Sequence, residues 1–195
     1  MPQKRKVKTQ SHQIRIIAGK YRGQKIQVID QKDLRPTTDR VRETVFNWLN
    51  LPVINAVCLD AFAGSAILSF EALSRDAKRV VAVEKSKLAH QAIERNAKHL
   101  KLENFELIQS SVEDYLANTT EVFDVIFLDP PFSNPELVIN SLNLIIERQL
   151  LEKDGLIYIE MSEPDFLLLN DLNHKILWLK KKTAGQVCYS LAQIK

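Results

Sequence analysis

The sequence predicts an α/β protein: a seven-stranded, mostly parallel sheet with an antiparallel last strand, flanked by helices and preceded by a small N-terminal β-hairpin. Three observations point there. From residue 56 onward, short apolar runs alternate with segments of helical periodicity. One run, Phe123-Asp124-Val125-Ile126-Phe127-Leu128, stops at Asp129-Pro130-Pro131-Phe132, a carboxylate followed by two prolines that cannot continue a strand. Another ends in Asp60-Ala61-Phe62-Ala63-Gly64-Ser65, a small-residue turn into a helix. Open parallel sheets place their ligands at such strand ends.

Residues 1–12 are polar, basic and aperiodic, and are expected to form a disordered tail. Residues 13–50 read as an extension that meets a polyanion. Two β-rich runs, Ile14–Ala18 and Lys25–Ile29, flank a glycine-bounded turn whose tip carries Lys20, Tyr21 and Arg22. Those side chains suit a phosphate backbone or an unstacked base, although a purely structural hairpin accounts for them equally. A loop then enters a helix with Thr37 or Thr38 as N-cap and Val41, Val45, Trp48 and Leu49 on one apolar stripe. Cations in a first helical turn oppose the macrodipole, so Arg35, Arg40 and Arg42, with Thr37, are read as facing an RNA phosphate or another anion.

Residues 51–195 carry the α/β alternation. Ala56–Phe62 is the first strand, and Ile67–Ser74 the helix after its glycine turn. A single glycine in place of G-x-G-x-x-G suits a nucleoside cofactor without a pyrophosphate. Lys78–Val83 is the second strand and ends in Glu84, roughly 20 positions past the glycine turn, where an acid takes the ribose hydroxyls. A helix marked by Leu88, Ala92, Ile93, Ala97 and Leu100 leads to a third strand, Phe105–Ile108, after which Ser111 and Val112 occupy the place of adenine contacts. After the strand ending at Asp129 come a helix over Glu136–Arg148, a turn at Asp154-Gly155 and a fifth strand, Leu156–Met161, containing Glu160. Leu167–Asp171 is open between states. Ile176–Leu179 and Gln186–Ala192 are the last two strands, joined by a hairpin over Lys180–Gly185.

The 195 residues, 45% hydrophobic and 26% charged, are enough for one good core. No apolar run approaches the roughly 20 residues of a membrane span, and no apolar segment follows the basic N-terminus, so a cytoplasmic protein is expected. Cys58 and Cys188 lie in apolar runs and read as buried thiols; His12, His90, His99 and His174 are scattered, so no metal site is expected. Charge is unevenly placed. Residues 1–45 hold twelve Lys and Arg against four Asp and Glu, a net +8, which leaves −5 for the remainder of a +3 chain.

Asp129 to Phe132 suit methylation of an exocyclic amine. Such an amine is a poor nucleophile because its lone pair is delocalised into the ring. The Asp129 carboxylate and the Pro130 carbonyl are two acceptors that, by binding its hydrogens, turn the lone pair toward a methyl donor; Phe132 stacks on the base, and Pro130-Pro131 keep the loop stiff. The plainer alternative has Asp129 capping the helix near Pro135 and Phe132 in the core.

Taken together, five blocks resemble the class I S-adenosylmethionine-dependent methyltransferases, and within them the bacterial 16S ribosomal RNA guanine 2-amino methyltransferases of the RsmD type. The blocks are Arg15-Ile16-Ile17-Ala18-Gly19 with Tyr21-Arg22-Gly23, Arg35-Pro36-Thr37 with Asp39-Arg40-Val41-Arg42-Glu43, Asp60 to Ser65, Glu71-Ala72-Leu73-Ser74-Arg75, and Leu128 to Phe132. The resemblance implies a Rossmann-like fold with S-adenosylmethionine as cofactor. By it, Asp60, Phe62 and Gly64 hold the methionine part, Glu84 the ribose, Ser111 and Val112 the adenine, and Asp129, Pro130, Pro131 and Phe132 the target guanine. The sequence departs from the family at Ala66, where a second glycine is usual, and at Ser111, near which an aspartate is common. The expected partner is 16S ribosomal RNA, free or in an assembling small subunit, met by a monomer without membrane or metal. Two rivals stand: methylation of the adenine 6-amino group in DNA, and a non-catalytic RNA-binding or assembly module.

Overall fold

The structure is a computed structural model that describes residues 11–29 and 38–195. Its main sheet contains seven strands: β3 (Val57–Asp60), β4 (Arg79–Val83), β5 (Phe105–Ile108), β6 (Phe123–Leu128), β7 (Leu151–Ser162), β8 (Ile176–Ala184) and β9 (Val187–Ile194). They lie in the order β5-β4-β3-β6-β7-β9-β8. The first five are parallel, and β9 is antiparallel to both of its neighbours. The chain starts at β3, works outward to β5, then returns to lay β6 against the other side of β3. That reversal opens a crevice at the carboxyl ends of β3 and β6.

Consecutive residues of β6 face opposite ways, and both faces are apolar because helices cover both. On one face Ile126 and Leu128 pack with Leu59, Ile157 and Ile159 and with Val138, Leu142 and Ile145 of α5 (Glu136–Glu147). On the other, Val125 and Phe127 pack with Cys58, Tyr158, the stripe Val41, Val45 and Phe46 of α1 (Asp39–Trp48), and Leu49, which caps that helix. The helix α1 therefore packs in the same core cluster as β6. Every residue of α2 (Ile67–Ser74) is buried, so its sequence carries no polar face.

A two-stranded hairpin, β1 (Ser11–Arg15) with β2 (Lys25–Ile29), sits beside this sheet. Asn96 of α3 (Lys87–Leu100) pins β2 by accepting from the Gln27 amide at 3.0 Å and donating to the Gln27 carbonyl at 2.9 Å. The Gly19 turn lies so close to α2 that a Cβ there would meet the Ser74 carbonyl oxygen at 1.7 Å, and its φ of +80° also calls for glycine.

Several expectations need correction. Ser11 and His12 are in β1, paired with Ile29 and Val28, so a tail reaching residue 12 is too long; residues 1–10 lie outside the described residues. Asp154-Gly155 does not begin β7, which already runs from Leu151; Asp154 is a left-handed kink (φ 65°) within it, next to a register shift against β6. Lys180 to Lys182 are not a turn. They lie in β8, an exposed edge strand on which charge discourages edge-to-edge pairing, and the reversal is confined to Gly185 and Gln186. Residues 165–172 form a 3-10 helix.

Arg42 is the largest correction. It is 0% exposed and cannot face RNA phosphate. Its guanidinium donates to Asp39 at 2.6 Å, to Glu71 of α2 at 3.0 Å and to the Arg15 carbonyl at 3.1 Å, while Glu71 also accepts from the Ile17 amide at 2.7 Å. The unfavourable first-turn cation is answered by two carboxylates and serves to join hairpin, α1 and α2. Removing one member of a buried pair strands the other charge, so Arg42→Ala should cost about 3–5 kcal/mol in urea denaturation. A loss below about 1 kcal/mol would show that the junction does not depend on this pair.

Candidate active site

One cavity of about 360 Å³ occupies the crevice where the sheet order reverses. Its walls are strand ends. Asp60, Phe62 and Gly64 line it after β3, Glu84 after β4, Ser111 and Val112 after β5, and Asp129, Pro130, Pro131 and Phe132 after β6. The structure thus gathers all ten residues expected in the cofactor and target sites around a single space.

Asp60 is 1% exposed, and its Oδ2 accepts from the Ser69 hydroxyl at 2.6 Å and the Ser69 amide at 3.2 Å. Ser69 is in the first turn of α2, whose N-cap, Ala66, has no side chain able to cap, so Asp60 does that work from the strand. Ala66 itself stands in the left-handed conformation (φ 58°), the backbone state that a glycine would adopt without strain. Gly64 (φ 55°) donates its amide to Glu84 Oε2 at 2.8 Å, and the other Glu84 oxygen accepts from the Ser86 amide at 2.6 Å. Glu84 therefore ties the glycine turn to the end of β4 and holds a defined carboxylate at the cavity edge. Helix α3 is capped separately by the Ser86 hydroxyl.

Ser111 has a local task. Its hydroxyl caps α4 (Val112–Asn118), accepting from the Asp114 amide at 3.1 Å and donating to the Asp114 carboxylate at 2.6 Å. Phe132 is half-buried: it packs against the α1 face of the core and also lines the cavity. Pro130 is buried and Asp129 is half-buried, with Asp129 among the lining residues.

The hairpin tip divides. Lys20 and Arg22 are exposed, whereas the Tyr21 ring is half-buried against the core cluster of Ile16 and Phe70, with the Lys20 ammonium 5.1 Å from its centre. Arg40 is exposed in the first turn of α1. Arg35 and Thr37 lie outside the described residues. The second half of β2, Gln27 to Ile29, lines a small second cavity together with Gly64 and Ser65, so the hairpin lies beside the glycine turn.

Residues not singled out from the sequence also line the cavity, chiefly Glu160 of β7, Lys85 and Leu137 of α5. Glu160 was visible only as part of a strand. Its alignment with Asp129 required the β6–β7 register, in which Leu128 faces Ile159. Among the described residues, no group of three or more His, Cys, Asp or Glu is placed to hold a metal ion, and no helix is long and apolar enough to cross a membrane.

Fold and site together define a Rossmann-like methyltransferase architecture. A family model described as conserved hypothetical protein 95 matches residues 14–193. The ribosomal RNA small subunit methyltransferase D of Haemophilus influenzae is 43% identical over 93% of this chain and 94% of its own length, and that of Escherichia coli K12 is 40% identical over 94% and 91%. The solved Escherichia coli protein yhhF superposes with a TM-score of 0.84 at 38% identity, covering 94% of this chain and 99% of that one. The chain belongs to the ribosomal RNA small subunit methyltransferase D family.

Burial raises the Asp60 pKa from 3.8 to about 6, against the lowering effect of the Ser69 bonds, and the Glu84 carboxylate raises it further. An acid with a raised folded-state pKa favours the fold fully below its unfolded pKa and loses that contribution as pH rises through about 6. Asp60→Asn should therefore gain stability relative to the parent between pH 4 and 7, by up to about 3 kcal/mol in the ligand-free protein. A stability difference that stays constant across this range would contradict it.

Proposed function

We propose that this chain is an S-adenosylmethionine-dependent methyltransferase that modifies the 2-amino group of one guanine in 16S ribosomal RNA. The observation that carries the reading is the single cavity that places the Gly64 and Glu84 strand ends opposite Asp129, Pro130 and Phe132. Its volume lies within the roughly 300–1,000 Å³ of small-molecule sites. The donor set suits a nucleoside cofactor: an acid at the end of β4 for ribose hydroxyls, one positive-φ glycine where a ligand approaches backbone, and buried acid at β3 for a cationic amino-acid part. Bound there, S-adenosylmethionine supplies a methyl group on a sulfonium, whose departure leaves the bonding pair on sulfur.

The protein's part is orientation. Asp129 and the Pro130 carbonyl accept the two amine hydrogens and aim the nitrogen lone pair at the methyl carbon, and the stiff Pro130-Pro131 backbone holds both acceptors in place beforehand. As the nitrogen–carbon bond forms, the nitrogen becomes cationic and releases one proton to Asp129 and from there to water. Phe132 offers a ring face to a base flipped out of an RNA loop. The exposed Lys20, Arg22 and Arg40 are assigned to RNA phosphates, and Arg35 and Thr37 remain candidates for the same role. The assembling small subunit is the setting expected for such a target.

Asp129→Ala should lower turnover by at least about 100-fold while leaving S-adenosylmethionine affinity within about threefold, read by labelled-methyl transfer and calorimetry. An unchanged rate would remove Asp129 from the reaction. Mass mapping of 16S ribosomal RNA from cells lacking the protein should reveal one missing methylguanine, restored by the parent gene. A missing methyladenine in DNA would establish the adenine rival, and absence of any S-adenosylmethionine binding would favour a non-catalytic role.

A further inference from the structure

The Asp129 tetrad does not by itself distinguish guanine from adenine. Either base offers an exocyclic amine with two hydrogens to the same pair of acceptors. The bases differ at the neighbouring ring nitrogen: N1 of guanine carries a hydrogen, whereas N1 of adenine presents a lone pair. A residue that tells them apart must stand beside Asp129 and be a fixed acceptor.

Glu160 stands there. It follows Ile159, which is in register with Leu128, so Asp129, just past the end of β6, lies beside Glu160, two residues before the end of β7, on the same face of the sheet. Both line the cavity, and Glu160 is 5% exposed. Its Oε2 accepts a 2.6 Å hydrogen bond from the hydroxyl of Tyr158, itself 0% exposed between the sheet and α1. A phenol donating to one oxygen restrains the rotamer, and a carboxylate has acceptor sites beyond the one so used. The burial of a carboxylate in a largely apolar layer is costly unless hydrogen bonds compensate it, and the core role that would account for an apolar residue does not account for an acid.

We propose that Glu160 is the base-recognition residue of this site, accepting the N1 hydrogen of the target guanine while Asp129 and Pro130 hold the 2-amino group. The assignment rests on the guanine reading above and adds to it a reason for rejecting adenine, whose N1 lone pair would face a buried carboxylate with no proton between them.

The test uses 16S ribosomal RNA from cells lacking the protein, labelled S-adenosylmethionine, and a ligated RNA in which the guanine mapped with the parent enzyme is replaced by 2-aminopurine. That base keeps the 2-amino group but has an unprotonated N1. The parent enzyme should methylate guanine at least about 100-fold faster than 2-aminopurine, in line with rejection of analogues lacking a bonded hydrogen. Glu160→Gln, whose amide can donate to N1, should reduce that preference by at least about tenfold. Each preference is a ratio within one enzyme, so partial misfolding of the variant lowers both rates and leaves the ratio intact. Equal rates on the two RNAs for the parent enzyme would overturn the assignment without reference to any variant. So would an unchanged ratio in Glu160→Gln. A parent enzyme that makes no methylguanine would instead sink the guanine reading itself, and this assignment with it.

Discussion

The arrangement depends on carboxylates kept at the ends of buried parallel strands. Across the sheet, β4, β3, β6 and β7 are consecutive neighbours; Glu84, Asp60 and Asp129 stand at or just beyond the carboxyl ends of the first three, Glu160 stands two residues before the end of β7, and all four line one cavity. Desolvation opposes charge at such positions, and it raises the pKa of both Asp60 and Glu84. The fold answers with donors drawn from its own backbone and side chains: Ser69 for Asp60, the Gly64 and Ser86 amides for Glu84, Tyr158 for Glu160. A ligand carrying positive charge and hydrogen-bond donors relieves what remains of the penalty. The strand ends are thus held in a state that binding completes, which is how a rigid scaffold turns burial into affinity.

The N-terminal extension is tied mechanically to this site. Hairpin, α1 and α2 meet at Arg42 and Glu71, while Ser74 at the end of α2 accepts the Tyr21 amide and donates to the Ala18 carbonyl. Because α2 begins at the glycine turn, a hairpin fixed to α2 is also fixed relative to the cavity. The cations left exposed, Lys20, Arg22 and Arg40, are then carried on a surface whose position is set by buried contacts.

The sequence made the alternation and the ten cavity residues legible because each is written locally. A strand that stops at Asp129-Pro130-Pro131, or a turn built on Gly64 with an acid twenty positions later, announces itself within a short window. What stayed hidden was set by partners far away in the chain. Arg42 looks like a misplaced cation until Glu71, 29 positions on, is seen beside it. Glu160 looks like an ordinary strand residue until the register places it next to Asp129. Lys180 to Lys182 imitate a turn by composition, and only the pairing of β8 with β9 shows that they are the solvent-facing edge of a strand. The left-handed kink at Asp154 imitates a turn between elements for the same reason, since a bulge and a turn share their local chemistry.

Tyr158 shows why these long-range choices are coupled. Its ring lies between Phe127 of β6 and the rest of the α1 face, so it contributes to the core as an aromatic residue does anywhere. Its hydroxyl, however, would be unsatisfied in that layer without Glu160. Burial, and then the negative charges of Glu160 and Asp129, push its pKa well up, which keeps it protonated and therefore a donor throughout the range in which proteins work. Core packing, the phenol and the carboxylate therefore form one sequence of constraints, running from a residue with an apolar ring to a carboxylate at the cavity wall.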